Sequence, residues 1–415
     1  MGDDLTGALD AFLARHETEL IGLRRDLHAH PEPAYAERRT TRLVADRLAE
    51  AGLRPVVLQE STGLYVDIGP AGARVALRAD LDALPMDDEK GVPYRSTIPG
   101  MCHACGHDVH TAMLVGAGLF LAERAASGLL TGGVRLIFQP AEEAASGAKA
   151  VIAAGALDSV GRIFALHCDP RLDTGMVGVR AGAITAACDK VKVTLTGPGG
   201  HTARPHLTAD VVYALGKIVT EVPAALSRRV DPRAGLSLVW GYVSAGSAAN
   251  AIPGEGVAEG TVRCLDADVW RSAVALIEDM VQSVAMPYGV TAKVEYLSAV
   301  PPTVNEAASA ALIGAAAAAV LGPDAVTETP QSLGGEDFAW YLHLVPGAMA
   351  RLGTRAPGTL AAGDLHQPTF DVDERAIGVG VRVLAALIAL GDEPPYLPKA
   401  AERLGELGDS PSAAD

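Results

Sequence analysis

The sequence predicts an α/β protein whose main domain is interrupted by a smaller α+β insert. Three observations predict it. Strand-length apolar runs alternate with helical periodicity from about residue 55 to residue 180. Over 183–297 the order becomes strand, helix, strand, strand, helix, strand, which is the ferredoxin-like unit. Beyond residue 298 the α/β alternation resumes, so the first domain is discontinuous. The 415-residue length exceeds one ordinary domain, which fits two.

The elements follow in order. Leu9, Phe12, Leu13, Leu20, Leu23 and Leu27 recur at helical spacing over 8–29, and Pro31 and Pro33 stop that helix. A second helix is expected over 36–51, with Gly52 at its C-terminus. Strands are expected at 55–58, 63–68 and 74–79, the last running into Asp80-Leu81-Asp82. A Pro/Gly-rich loop leads to Met101-Cys102-His103-Ala104-Cys105-Gly106-His107-Asp108-Val109-His110. A helix is expected after it, from Thr111 to about Ala126, capped by Asp108. The strand Val134–Phe138 stops at Gln139-Pro140-Ala141-Glu142-Glu143. A helix near 145–155 precedes the strand Ile163–Leu166, which stops at His167. In the insert, strands at 190–196, 236–243, 257–264 and 291–296 surround helices at 209–226 and 268–285. An Ala-rich helix at 306–321, a strand at 347–352 and a helix at 374–390 complete the pattern. The polar stretch 399–415 reads as a short helix and a frayed tail.

Composition removes several function classes. A net charge of −16 argues against nucleic-acid or anionic-membrane surfaces. There is no apolar segment long enough to span a bilayer and no signal-peptide pattern at Met1-Gly2-Asp3-Asp4. Five cysteines, an odd and sparse set, suggest a reducing compartment, so a cytoplasmic location is expected.

The stretch around Cys105 organises the chemistry. It packs two thiols, three imidazoles and a carboxylate into ten residues, and these groups suit zinc-like ions. Thiolate is expected to be favoured at Cys105 by the helix N-terminus. A redox-active or merely buried Cys102/Cys105 pair is the alternative. Asp80, Glu142, Glu143 and His167 are all expected just past strand ends, where open α/β sheets gather ligands. Each also has a duller reading, as a helix start, a strand terminator or a half-buried histidine. If 142–143 is extended, the two carboxylates point to opposite sides, one to metal and one to water. His366 could be a loop histidine. Thr196-Gly197-Pro198-Gly199-Gly200-His201 lacks the lysine of a phosphate loop and reads as a turn. His28 and His30 read as structural, and Asn250 and Arg263 as surface groups.

Taken together, these motifs resemble the metallopeptidase family of aminoacylases, carboxypeptidase G and di- and tripeptidases. The nearest branch is the amidohydrolases of hippurate and auxin-conjugate type. The resemblance runs from about Leu23 to Leu390. It rests on Arg24-Arg25-Asp26-Leu27-His28 with Pro31-Glu32, Arg78-Ala79-Asp80-Leu81-Asp82-Ala83-Leu84-Pro85, His103-Ala104-Cys105-Gly106-His107-Asp108 and Phe138-Gln139-Pro140-Ala141-Glu142-Glu143. Leu166-His167, Gly200-His201-Thr202-Ala203-Arg204-Pro205-His206, Gly260-Thr261-Val262-Arg263, Glu336-Asp337-Phe338 and Leu365-His366 extend it.

The resemblance implies a zinc-peptidase-like catalytic domain with a mixed sheet, over 1–182 and 298–395. It makes the insert at 183–297 a lid and dimerisation domain and leaves 396–415 as a tail. It implies two divalent metal ions, zinc first, with manganese, cobalt or nickel as alternatives. Cys105 is the implied bridge, and His107, Glu143, His167 and His366 complete the ligands. Glu142 is the implied general base, and His201 reaches across a homodimer to the scissile carbonyl. Asn250 and Arg263 match positions that bind the substrate carboxylate. The implied reaction is hydrolysis of an N-acyl amino acid. A dipeptidase or carboxypeptidase, an oxidoreductase built on the Cys pair, and an idle metal-binding scaffold remain alternatives. Cys102 departs from the motif, where Met is usual, and so does Thr202, where Ala is common.

Overall fold

The computed structural model describes residues 4–72, 74–359 and 363–391. The tail expected over 396–415 lies outside them. The described chain divides into two compact units. The first comprises residues up to 182 together with 305–330 and the described residues from 340 onward, and the second comprises 183–304 and 331–339.

The first unit is built on an eight-stranded mixed sheet. Across the sheet the strands run Val56–Val57, Leu64–Ile68, Gly133–Gln139, Arg74–Asp80, Val160–Asp173, Gly347–Arg355, Val177–Val179 and Val326–Glu328. The four from Gly133–Gln139 to Gly347–Arg355 are mutually parallel. The Leu64–Ile68 strand is antiparallel to its neighbours, as is Val177–Val179 to Gly347–Arg355. Gly133–Gln139 is buried at every position, so its continuous apolar run reflects cover on both faces. The helices His107–Ala126, Arg375–Leu390, Ala307–Leu321 and Leu5–Ala29 pack on one another and share one core with the sheet. His107–Ala126 is buried from His107 through Leu121, as its all-round apolar composition requires.

Three local expectations are corrected here. The helix begins at His107, not Thr111, and its N-cap is Gly106. Asp108 lies inside the first turn and does not cap it. The strand expected over 163–166 runs from Val160 to Asp173, so His167 sits within it and not past its end. Gly347–Arg355 pairs with this strand as far as Asp173 and carries it through Cys168-Asp169-Pro170, a sequence that reads locally as a turn.

In the second unit, the strands Ala187–Thr196, Ser237–Ala245, Glu255–Cys264 and Thr291–Val300 form an antiparallel sheet in the order second, third, first, fourth. The helices Val211–Arg229 and Ala267–Ala285 are capped by Asp210 and Asp266 and pack on the sheet. Inward residues such as Val191, Val193 and Leu195 alternate with outward ones, the period-two pattern of a half-buried strand. Residues 331–339, read from sequence as part of the first domain, group with this unit.

Candidate functional site

The site begins at the turn before the helix His107–Ala126. Gly106 has φ +87, and a Cβ there would lie 2.8 Å from the Cys168 sulfur. Only glycine allows that close approach in a left-handed conformation. The turn places Cys105 and His107 on either side of Gly106. Asp108 faces the other way, accepting from Arg24 Nε and facing His28 Nδ1, each at 2.7 Å.

Backbone carbonyls fix the tautomers of two histidines. His107 Nδ1 donates to Asp82 O, and His167 Nδ1 donates to Cys168 O, both at 2.8 Å. In the neutral form each ring therefore keeps its lone pair on Nε2, the atom that would bind metal. His167 Nε2 lies 3.6 Å from Cys105 Sγ. His107 Nε2 and Glu143 Oε1 are buried without a hydrogen-bond partner. His366, in a left-handed conformation (φ 62), places Nε2 3.4 Å from Glu143 Oε1, and its N–H donates to Ala104 O.

The ligand atoms fall into two triads that share a member. Cys105, His107 and His167 form one, and Cys105, Glu143 and His366 the other, with the atoms of each triad within 4.8 Å of one another. A donor set of one thiolate, three imidazoles and a carboxylate would suit two divalent cations. His107 Nε2 and Glu143 Oε1, buried without a hydrogen-bond partner, are also atoms that a pair of cations would satisfy. Glu142 stands beside them, its Oε2 3.9 Å from His107 Nε2.

The segment carrying both glutamates is a tight loop, not an extended strand. Ala141 (φ 53) and Ala145 (φ 57) are left-handed, and Gly147 N–H closes the loop on Ala141 O. Glu142 and Glu143 consequently do not diverge to opposite sides: each puts a carboxylate oxygen 3.9 Å from His107 Nε2. A Cβ at residue 147 would lie 1.6 Å from Pro140 O, so glycine is required there. Asp82 accepts the N–H groups of Glu142 (3.0 Å) and Glu143 (2.9 Å). Sequence reading left Asp82 between a strand terminator and a site residue; it is an anchor for this loop.

The electrostatics follow from crowding of buried charge. Burial, reinforced by Glu143, Glu142 and Asp80, pushes the Cys105 thiol well above its usual range. The expected helix-end activation is thus outweighed by burial and three carboxylates, and a cation is what would reverse the balance. Burial opposes charge on His107, yet Asp80, Asp82 and Glu143 lift it to about 10. Asp80 is itself held well below the usual carboxylate range against burial, chiefly by His107, Arg78 and His110. His110 Nε2 accepts Cys168 N–H, so its Nδ1 donates to Asp80 Oδ1 at 2.6 Å.

Cys102 has other neighbours: its sulfur lies 3.6 Å from Lys90 Nζ, and burial lifts the thiol to about 11. All five cysteines are free.

The remaining candidates lie in the second unit. His201 is exposed and accepts Ala203 N–H on Nδ1, which leaves the proton of the neutral ring on Nε2. The short strand Gly200–His201 pairs with Ala251–Ile252, which brings exposed Asn250 next to His201. Thr202 N–H donates to Asn250 O. Arg263, at the end of the strand Glu255–Cys264, donates to Leu333 O at 3.1 Å.

Comparison with known proteins gives a consistent answer. A protein of Rhodococcus jostii that bears the name of a glutamate–cysteine ligase is 49% identical over 91% of this chain, and the match covers 47% of that relative's length. The chain thus spans about half of that relative. The N-acetyl-L-cysteine deacetylase of Bacillus subtilis is 39% identical over 88% of this chain and 86% of its own. The crystal structure of the Bacillus subtilis YXEP protein, described as a dinuclear metal binding peptidase, is 33% identical and covers 92% of this chain and 98% of its own, with a TM-score of 0.80. The model of peptidase family M20/M25/M40 matches residues 76–390. The match spans the Cys105 turn, the glutamate loop and His366, and the chain belongs to peptidase family M20/M25/M40.

Proposed function

We propose that this chain is a metal-dependent amidohydrolase that cleaves the amide of an N-acyl amino acid. The observation that carries the reading is the pair of ligand triads sharing Cys105, with a second carboxylate, Glu142, beside them. Cys105, His107, Glu143, His167 and His366 would hold two divalent ions. When bound, these ions supply Lewis acidity at the amide carbonyl and make water a stronger acid.

Glu142 is the general base of this reading. It takes the proton of the attacking water and returns it to the departing amine. His201 donates from Nε2 to the carbonyl oxygen as negative charge builds there. Arg263 offers a fork of donors to the α-carboxylate, and Asn250 adds an amide beside it. The second unit, with its ferredoxin-like strand order, is the lid and the dimer-forming element. The working protein is a homodimer, or a tetramer built from it. An N-acetylcysteine deacetylase among the relatives favours short N-acyl groups over a dipeptide's aminoacyl group.

Elemental analysis of the purified protein, combined with a panel of N-acetyl, N-benzoyl and long-chain N-acyl amino acids and dipeptides, tests the reading. Two transition-metal equivalents per chain and chelator-sensitive release of an amino acid are expected. Dipeptides turned over faster than every N-acyl amino acid would make the protein a dipeptidase, and turnover that survives chelation would remove the metal.

A further inference from the structure

We infer that Glu37 is a positioning residue for Glu142; the inference rests on the reading of Glu142 as the base. Glu37 occupies the position before the helix Arg38–Glu50, from which a short polar side chain can cap its own helix. It makes no such capping bond. Its fully buried side chain reaches across 104 residues of sequence instead, and Oε1 accepts Ala141 N–H at 2.8 Å. Oε2 accepts the Thr62 hydroxyl, and Glu37 O is held by Thr41 N–H and its hydroxyl. Thr41 Oγ1 in turn accepts Gly63 N–H at 2.8 Å, so the carboxylate is fixed at both ends.

The bond falls at a sensitive place. Ala141 is left-handed, a conformation that L residues leave readily unless their surroundings hold them. Its buried N–H would have no partner without Glu37, and relaxation of residue 141 would re-aim the Cα–Cβ bond of Glu142. Glu37 and Asp82 together hold three consecutive amides, those of Ala141, Glu142 and Glu143. Nothing in the local sequence pairs Glu37 with this loop.

The test uses full-length, metal-loaded enzyme with N-acetyl-L-cysteine and N-benzoylglycine as substrates. Glu37→Gln keeps a side-chain carbonyl for Ala141 N–H, and kcat within about 3-fold of the parent is expected. Glu37→Leu keeps the bulk without the acceptor. Its kcat should fall by about 30- to 100-fold with KM and metal content little changed, the size of effect a small misplacement of a reacting group produces. Hydrogen exchange of a peptide covering 139–147 should quicken in Glu37→Leu while exchange over 107–126 stays as it was. Should Glu37→Leu not fold, Glu37→Asp takes its place, with the same loss expected from a carboxylate one methylene too short. Parental kcat in the folded variant, or exchange quickened equally over 107–126, overturns the inference. Glu142→Gln, run alongside, separates the two claims. If Glu142→Gln stays active, the base assignment itself falls. If it is inactive with metals bound while Glu37→Leu is fully active, only the role of Glu37 falls.

Discussion

At the scale of single residues, the site depends on atoms placed where ordinary side chains cannot go. Gly147 packs against Pro140 O with no room for a Cβ. Gly147→Ala must therefore open the loop that carries Glu142 and Glu143. A loss of kcat of at least ~100-fold is expected, with weakened retention of one metal, checked by steady-state kinetics and elemental analysis. Gly106→Ala meets both the left-handed φ and the Cys168 sulfur. It should destabilise the fold by about 2 kcal/mol or more in urea titration. Glu142→Gln removes the proton acceptor but no proposed ligand, so two metals should remain while turnover drops by about 100-fold or more.

At the scale of one element, the first turn of the helix His107–Ala126 sits on a buried ionic network. Asp108 joins Arg24 and His28, and His28 faces Asp88, which Lys90 also contacts at 2.9 Å. Burial works against charge on Asp108, but Arg24 and His28 hold it well below the usual carboxylate range. Burial keeps neighbouring His103 neutral down to about 3. Both shifts act in one direction. A carboxylate with a depressed folded pKa stabilises above its unfolded value and loses that contribution as pH falls through its folded one. A histidine whose folded pKa is depressed likewise stabilises above its unfolded value of about 6.5, and that contribution declines as pH falls toward 3. Thermal unfolding should thus show stability declining below about pH 6.5, and steeply below pH 4. Asp108→Asn removes one of three carboxylates from the Arg24 guanidinium, which is 1% exposed and keeps Asp371 and Glu374. It should cost about 1–3 kcal/mol at pH 7 and flatten the acid limb, read by denaturant unfolding across pH.

At the scale of the whole molecule, the described chain carries its candidate chemistry on two units. The ligand cluster and Glu142 belong to the first, and His201, Asn250 and Arg263 to the second. If His201 serves the partner's site, mixing inactive His201→Ala with inactive Glu142→Gln should restore part of the activity. No recovery after subunit exchange, verified by mass spectrometry, would place His201 in its own subunit's site. Metal loading should also raise the unfolding temperature, by an amount that grows with the logarithm of free metal above the dissociation constant. About 2.7 kcal/mol is expected at 100 times the dissociation constant, and chelation should reverse it. Among the described residues no helix is long and apolar enough to cross a membrane.

The sequence by itself determined the α/β alternation and the strand and helix order of the interrupting segment. It determined the family too, because apolar periodicity and short motifs are local properties of the chain. Through the motifs' resemblance to that family it also pointed to Cys105, His107, Glu143, His167 and His366 as a ligand set. Tertiary structure alone decided how those atoms meet. Whether His167 ends a strand or lies inside one depended on a neighbouring strand, Gly347–Arg355, which is far away in sequence. Whether Glu142 and Glu143 diverge or converge depended on the left-handed Ala141, held by Glu37, and on the two following amides, held by Asp82. The direction of the Cys105 shift depended on burial among three carboxylates from two separate segments, Asp80 and the Glu142–Glu143 loop. Hydrogen bonds and Coulomb interactions act through space, so residues 60 or 100 positions apart set a geometry that no local pattern encodes.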